Sequence, residues 1–442
     1  MALIIAMLLG YGFFGYSLER ANFPLLIGLV CGLFLCSYFL IERFSLSIKT
    51  LVALGILARL VFIIALPNLS QDYYRFIWDG RLLVAGINPY IQSPEFMMFT
   101  AGAPFEQAQT LIDGMGILNA HHYSNYPPIN QLCFAWAAML GGKSILGTVV
   151  AMRVLIIAAD IGIVWLSLKL LKHFKLPLKN AFWFFLNPFI IIELTGNLHF
   201  EGVMCLFLLL GLYYLLVKKQ SVWAAICIGL SIAVKLIPLM LLPLFFKHFV
   251  SRKKPLSGLV KLSGFYLLIL GTVALCFSPF LSQQFVSNFS DTIGLWFQSF
   301  EFNGSVYYII REIGYMTIGW NIIATVGKIL PIIVLGGIVL LSLLRKNETP
   351  KGILTGMLFA VGFYLLLATT VHPWYLVTPL LLSIFTKYRF VMLWSGVIFL
   401  SYSAYTAAGF NENLWLVGLE YIIVAGFLLW ELWPRPIKAS LD

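Results

Sequence analysis

Charge is what this sequence has least of. Asp, Glu, Lys and Arg make up 11% of its 442 residues, against 61% hydrophobic residues and a mean hydropathy of +0.93. Soluble domains carry about 25% charged and 45–50% apolar residues, so the composition excludes a water-soluble domain of any size and gives a polytopic membrane protein. The longest stretch without a spanning segment runs from Asn68 to Pro128. Paired cysteines are also missing. Cys31, Cys36, Cys133, Cys205, Cys227 and Cys276 all sit inside apolar runs and none forms CxxC. They read as small buried hydrophobes, which argues against a disulfide framework and against a zinc site. There are no low-complexity segments, and no inverted repeat of the kind that marks many transporters. The opening MALIIAMLLG has no basic n-region and no A-x-A site, so it reads as a first membrane helix rather than a cleaved signal.

Positive charge is present but confined. The net charge is +11, yet the basic residues cluster in short connectors between apolar runs: Lys172, Lys175 and Lys179; Lys218 and Lys219; Arg252 to Lys254; Arg345, Lys346 and Lys351; Lys387 and Arg389; Arg435 and Lys438. That is the positive-inside pattern, which sets membrane orientation, and it argues against nucleic-acid binding. A spanning helix needs about 20 apolar residues. Candidate spans are 2–17, 22–41, 49–67, 145–171, 180–196, 201–217, 256–280, 320–344, 352–370, 374–386, 390–408 and 413–433. Residues 129–142 are too short to span and read as an interfacial lead-in. With the basic connectors in the cytoplasm, both termini fall inside and the outer segments are 18–21, 68–144, 197–200, 281–319, 371–373 and 409–412. The first of the long outer loops is acidic: residues 68–128 carry Asp72, Asp79, Glu95, Glu106 and Asp113 against Arg75 and Arg81.

One segment breaks this scheme. Residues 221–246 have basic connectors on both sides, so the chain must enter and return. A helical hairpin turning near Lys235 to Pro238 satisfies the rule, since Pro238 and Pro243 interrupt helix hydrogen bonding where protein surrounds them. About 14 residues at 1.5 Å each climb about 21 Å. Lys235 then lies deep towards the outer face, where an ammonium needs an anionic partner.

Ionisable groups at membrane depth are functional candidates by default. The stretch NLSQDYYRFIWDGRLLVAGINPY (68–90) is densest in them. If 71–84 is a helix lying along the interface, Asp72, Arg75 and Asp79 fall at i, i+3 and i+7 on one face. Tyr73, Ile77, Leu83 and Val84 are then free to dip into headgroups, Arg81 points nearly opposite Asp72, and Gly86 and Pro89 turn the chain. The bland alternative is a salt-bridged interfacial helix. Other outer segments add NLHFEG with His199 and Glu201, FEFNGSVYYIIRE with Glu301, Asn303, Tyr307 and Arg311, and VHPWY with His372 and Trp374. Each alone reads as an anchor; together they gather carboxylates, histidines, a deep lysine and aromatics on one side. Arg59, Arg153 and Asp160 lie within spans and read as structural.

SQDYYRFIWDGRLLVAGINPY, YPPINQ, the Lys235 hairpin, FEFNGS and HPWY together resemble the GT-C superfamily of polyprenol-phosphate-sugar-dependent glycosyltransferases. The bacterial polyprenol-phosphate-mannose mannosyltransferases are the nearest likeness, and the first mannosyltransferase of glycosylphosphatidylinositol synthesis is similar. The resemblance spans roughly residues 49–390. It implies an all-α GT-C fold of about 11–14 transmembrane helices in one membrane domain, with two extra N-terminal helices in 1–48, a core in 49–390 and C-terminal helices in 391–442. It implies an inverting hexosyl transfer, mannose first among the sugars. The partners it implies are membrane lipids, a polyprenyl-phosphate donor and a glycan or glycolipid acceptor, at the outer face of a bacterial inner membrane. Asp72 occupies the position of the catalytic base. Lys235 is the first choice for the donor phosphate, with Arg75, Arg311 and His372 as alternatives. Asp79, His199, Glu201, Asn303, Tyr307 and Trp374 are candidates for sugar or acceptor contacts. Many relatives carry an acidic pair where this chain has Gln71-Asp72; no metal ligand set is assigned, and a divalent cation such as Mg or Mn stays an open alternative because one carboxylate is a poor site by itself. The rival readings are a flippase of a lipid-linked sugar, which predicts polar groups at mid-membrane, and an O-antigen ligase-like enzyme, which places its basic residues in a late outer loop.

Overall fold

A computed structural model describes residues 1–433. Arg435 and Lys438, read above as topology signals, lie outside the described residues. Lipid offers backbone groups no hydrogen bonds, so a spanning chain must satisfy them internally, as helices do. Accordingly the described residues are helical apart from loops, a two-stranded ribbon pairing β1 (Tyr405–Thr406) with β2 (Gly409–Phe410), and one isolated bridge. Among the described residues, seven helices are long and apolar enough to cross a membrane, and four shorter apolar helices accompany them. The protein is an all-α, multi-pass membrane protein. Asn22, Ser144, Thr349 and Asn413 each accept a hydrogen bond from a first-turn amide at the start of such a helix, contributing about 1 kcal/mol apiece.

The elements that shape the functional end come early. α1 (Ala2–Tyr16), α2 (Phe23–Tyr38) and α3 (Ile48–Leu60) lead into the long loop, which folds as α4 (Asp72–Val84), α5 (Pro94–Ala101) and α6 (Ala108–His121). α7 (Pro128–Gly141) and the 29-residue α8 (Ile145–His173) follow. α7 packs one face against α4, α8 and the helix Ser221–Val234 and leaves Leu132, Trp136, Met139 and Leu140 exposed on the other. α4 does not present the expected side chains to headgroups. Tyr73 and Ile77, expected among headgroups, are buried, as is nearly all of α4 through Leu82, and only its far end at Val84 is exposed. The cover is α6 on one side and α7 on the other. Gly80 permits the α7 contact: a Cβ there would lie 2.4 Å from the Phe134 carbonyl oxygen.

The expected span 180–196 is broken. Asn187 caps a new start at Pro188, and residues Ile191–Gly196 wind as a π-helix. Arg153 closes that wide turn by donating to the carbonyls of Thr195, Gly196 and Ile63 at 2.8, 3.2 and 2.9 Å. Asp160 pairs with Arg59 at 2.7 Å, both fully buried. These charges are structural. The helix Ser221–Val234 stops at Lys235, whose backbone is extended, and a 3-10 stretch Ile237–Phe245 carrying Pro238 and Pro243 follows. The expected span 374–386 is a 3-10 turn (Pro373–Leu376) and a short buried helix (Val377–Ser383).

Candidate active site

Segments far apart in sequence line one cavity of about 1120 Å³. Its walls come from Leu69–Asp72, the Asn119–Pro127 region, Lys235 and the 3-10 stretch after it, Trp296–Phe302, His372–Tyr375, the β1–β2 ribbon, and the Glu19–Arg20 connector between α1 and α2. Of the residues singled out from the sequence, Asp72, Lys235, His372 and Trp374 line it directly.

Asp72 is the first residue of α4, where the helix dipole favours a carboxylate. Its side chain is 24% exposed. Oδ1 faces the Asn119 amide at 3.4 Å, and Oδ2 lies 3.9 Å from Nε2 of His199. Burial pushes the Asp72 carboxyl above the usual carboxylate range, while Lys235 and the Asn119 amide pull the other way. Lys235 forms an ion pair with Glu201, the first residue of the helix Glu201–Tyr213, so the ammonium has an anionic partner. Glu201 itself is buried, and Lys235 keeps 17% exposure towards the cavity.

A column of stacked rings stands beside them. Phe302 stacks on His372 with centroids 5.1 Å apart, His372 on Trp374 at 4.5 Å, and Trp374 on His199 at 3.7 Å. Trp374 lies between two imidazoles, so both faces of its indole are taken and an edge is what it can turn to a sugar. Burial and the nearby Lys235 push His372 down to about 3; its imidazole is neutral and offers a hydrogen bond, not a charge, to a phosphate. The column is tied to the neighbouring loop by a parallel bridge, Val371 N–H donating to Phe302 O at 2.7 Å and Phe302 N–H to Thr369 O at 3.2 Å.

Other candidates sit elsewhere. Arg75 and Asp79 share a face as expected, but they bind each other at 2.8 Å beneath α6 and α7. Asp79 also accepts from Ser124 at 2.5 Å and Gln131 at 2.9 Å. Arg75 donates to the carbonyls of Asn119 and His122, both at 2.8 Å, and so fixes the residue whose amide meets Asp72. Neither lines the cavity, and phosphate or sugar contact is not what this geometry offers them. Asn303 is fully buried at φ 50°, its side-chain amide on Glu420 and its backbone N–H on Glu412. Tyr307 and Arg311 both hold Glu301, at 2.6 Å each. Burial alone would raise the Glu301 carboxyl, but hydrogen bonds from Tyr307, Asn321 and Arg311 keep it below the usual range. Glu301 lines the cavity; Tyr307 and Arg311 hold it from behind, and Asn303 lies apart on Glu412 and Glu420.

Sequence reasoning missed Arg20, Asn119 and the ribbon. Arg20 lines the cavity, donates to Leu69 O at 2.9 Å and lies 3.8 Å over the Tyr405 ring. Its signal was available: an arginine in a four-residue outer connector runs against the positive-inside rule. Asn119 gave no signal, because it is the packing of α6 on α4, with Arg75 bonded to its carbonyl, that brings it to Asp72. A divalent cation does not fit here. Gln71 Nε2 donates to Met115 O at 3.0 Å, Glu201 is neutralised by Lys235, and among the described residues no three His, Cys, Asp or Glu side chains are placed to hold a metal.

A family model described as "Alpha-(1->6)-mannopyranosyltransferase, N-terminal domain" matches residues 16–251. Alpha-(1->6)-mannopyranosyltransferase A of Mycobacterium tuberculosis is 22% identical over 329 residues, which cover 72% of this chain and 61% of that protein. The protein of the same name from Corynebacterium glutamicum is 24% identical over 399 residues, covering 83% of this chain and 77% of the relative. Alpha-(1->6)-mannopyranosyltransferase B of Corynebacterium glutamicum is 26% identical over 150 residues, covering 33% of this chain and 23% of that protein. With more than half its length matched by the family model, the chain belongs to the alpha-(1->6)-mannopyranosyltransferase family.

Proposed function

We propose that this protein transfers mannose from a polyprenyl-phosphate donor to a hydroxyl of a glycan or glycolipid, at the outer face of the bacterial inner membrane. The observation that carries the reading is an accessible carboxylate, Asp72, sharing one cavity with the cations Lys235 and Arg20. Mannose and a polyprenyl carrier come from the family; the relatives' printed names supply an alpha-(1->6)-mannopyranosyl product. The cavity exceeds the roughly 300–1,000 Å³ typical of a single-ligand pocket, as two substrates require. Outward orientation rests on the basic connectors at the opposite end of the bundle.

The chemistry is a single displacement. The acceptor O–H bond breaks, its proton goes to an Asp72 oxygen, and the hydroxyl oxygen forms a bond to the anomeric carbon. The bond from that carbon to the phosphate oxygen breaks on the opposite side, inverting configuration. General-base help of this kind is worth about 10²–10⁴-fold. The charge that gathers on the leaving polyprenyl phosphate is met by Lys235 and Arg20, with an N–H of neutral His372 beside them; stabilising such charge is usually the largest catalytic contribution. Glu201 keeps the Lys235 ammonium in place until the phosphate arrives.

The test is purified protein in lipid nanodiscs with a panel of polyprenyl-phosphate sugars and an acceptor, scoring sugar transfer and free polyprenyl phosphate. The Asp72→Asn protein should lose about 10²–10⁴-fold with its unfolding midpoint unchanged. Near-normal transfer by a folded Asp72→Asn variant would sink the base assignment. Donor moved across the bilayer without cleavage would make the protein a flippase instead.

A further inference from the structure

The wall behind Asp72 holds a group that the displacement above leaves idle. His199 is 1% exposed, so no acceptor sugar reaches it except through Asp72. Its Nδ1 lies 2.9 Å from the backbone carbonyl of Glu193. A carbonyl only accepts, so Nδ1 carries the ring proton and Nε2 of the neutral ring is a bare acceptor. Burial and Lys235 together hold the imidazole well below its ordinary value, so the neutral ring is the resting form. Nε2 faces Asp72 Oδ2 at 3.9 Å and, among the described residues, has no hydrogen-bond partner. The ring is held on two sides, by its Nδ1 hydrogen bond and by the stack on Trp374 at 3.7 Å.

A carboxylate oxygen and a bare imidazole nitrogen cannot hydrogen-bond to each other. The same two atoms attract once Asp72 has taken a proton, because Oδ2–H then donates to Nε2 after a shift of about 1 Å into the ordinary range. A hydrogen bond available only to the protonated form raises proton affinity. We infer that His199 is a positioning residue that sets the basicity of Asp72, by accepting a hydrogen bond from its carboxyl only after the acceptor's proton has arrived. The atoms balance without a co-reactant: the proton stays on Asp72 Oδ2, shared towards Nε2, until it leaves with product to solvent. Lys235 acts in the opposite sense by favouring the ionised carboxylate, so the base is set between two neighbours.

The other groups that face this pair are on the page. Asp72 meets Lys235, Arg20, Glu201 and the Asn119 amide, with Tyr126, Tyr375 and Tyr405 around it. His199 meets Glu193, Lys235 and His372. Of these, Lys235 and Arg20 favour ionised Asp72 and Glu201 opposes it; His199 brings a bare acceptor nitrogen to 3.9 Å from Oδ2.

This inference rests on the base assignment for its catalytic meaning but not for its titration, so the two are tested separately. Infrared difference spectra against pH follow the protonated carboxyl band of the full-length protein, with Asp72→Asn identifying the Asp72 component. In His199→Phe, which keeps a ring on Trp374 and removes the acceptor, the Asp72 midpoint should fall by about half to one pH unit, the worth of one hydrogen bond. In the unmodified protein carrying ¹⁵N-histidine, the imidazole bands lost in His199→Phe should shift in step with the Asp72 carboxyl band. An unmoved midpoint in folded His199→Phe, or imidazole bands indifferent to Asp72 titration, overturns the inference. Absence of sugar transfer by the unmodified protein, with both spectral results intact, would remove the proposed function and leave the pairing standing.

Discussion

Arg75 and Asp79 offer the sharpest separation between a ligand site and a scaffold. Their side chains are 5% and 0% exposed, and they pair at 2.8 Å. Asp79→Leu leaves the Arg75 guanidinium desolvated with carbonyls but no counter-charge, a loss of about 3–5 kcal/mol. Ser124 and Gln131 lose Asp79 but keep each other at 2.7 Å, so the added cost is at the low end, about 1 kcal/mol. A total of about 4–6 kcal/mol is three to four powers of ten in the folding equilibrium. Removing both charges, as Arg75→Met with Asp79→Leu, should recover most of it, because well-packed apolar replacements of a buried pair are often neutral. Denaturant unfolding in detergent micelles, followed by tryptophan fluorescence, reads both variants; Trp78 is buried in the same helix. The reasoning fails if Asp79→Leu unfolds like the parent protein while its KM for donor rises, since that pattern belongs to a residue that touches substrate.

Other outcomes follow from the same geometry. Only ionised Asp72 can take a proton, and its carboxyl is raised above the ordinary 3.8; kcat/KM should therefore fall as pH drops through a midpoint above that value, and a rate flat down to pH 4 would contradict it. Gly80→Ala forces a Cβ to within 2.4 Å of the Phe134 carbonyl; α4 and α7 must part, and the unfolding midpoint should drop, whereas an unchanged midpoint would mean the helices are not in contact there. Arg20→Gln removes a charged donor from the cavity wall and should raise donor KM about 10–100-fold, the worth of one charged hydrogen bond, with little change for the acceptor; equal effects on both substrates would refute phosphate contact.

The membrane class and the clustering of polar groups were legible because charge in so apolar a chain is costly enough to be placed with purpose. Lys235 shows this best: two basic connectors required a turn, the prolines marked it, and depth demanded a carboxylate, which Glu201 supplies. What periodicity could not tell is what covers a helix face. The i, i+3, i+7 spacing in α4 suits a headgroup layer and a protein wall equally, and the choice was made by α6 and α7, which start 36 and 56 positions after α4 does. The break at Asn187–Pro188 and the π-turn after it escaped for a related reason: the run is mostly apolar around Asn187, Glu193 and Thr195, and its wide turn is held by Arg153 from another helix. Arg20 was legible too, as an arginine that runs against the positive-inside rule in the outer connector 18–21.

The ring column has one more consequence, for how this cavity can change. Phe302, His372, Trp374 and His199 come from three separate segments, yet each rests on the next. Contacting residues typically couple by about 0.5–3 kcal/mol, so substitutions along the column are not independent steps. A smaller ring at position 374 slackens two histidines at once, His372 in the cavity wall and His199 behind Asp72. Substrate preference at this wall is therefore a property of the set, and altering it demands concerted replacement rather than a search one position at a time.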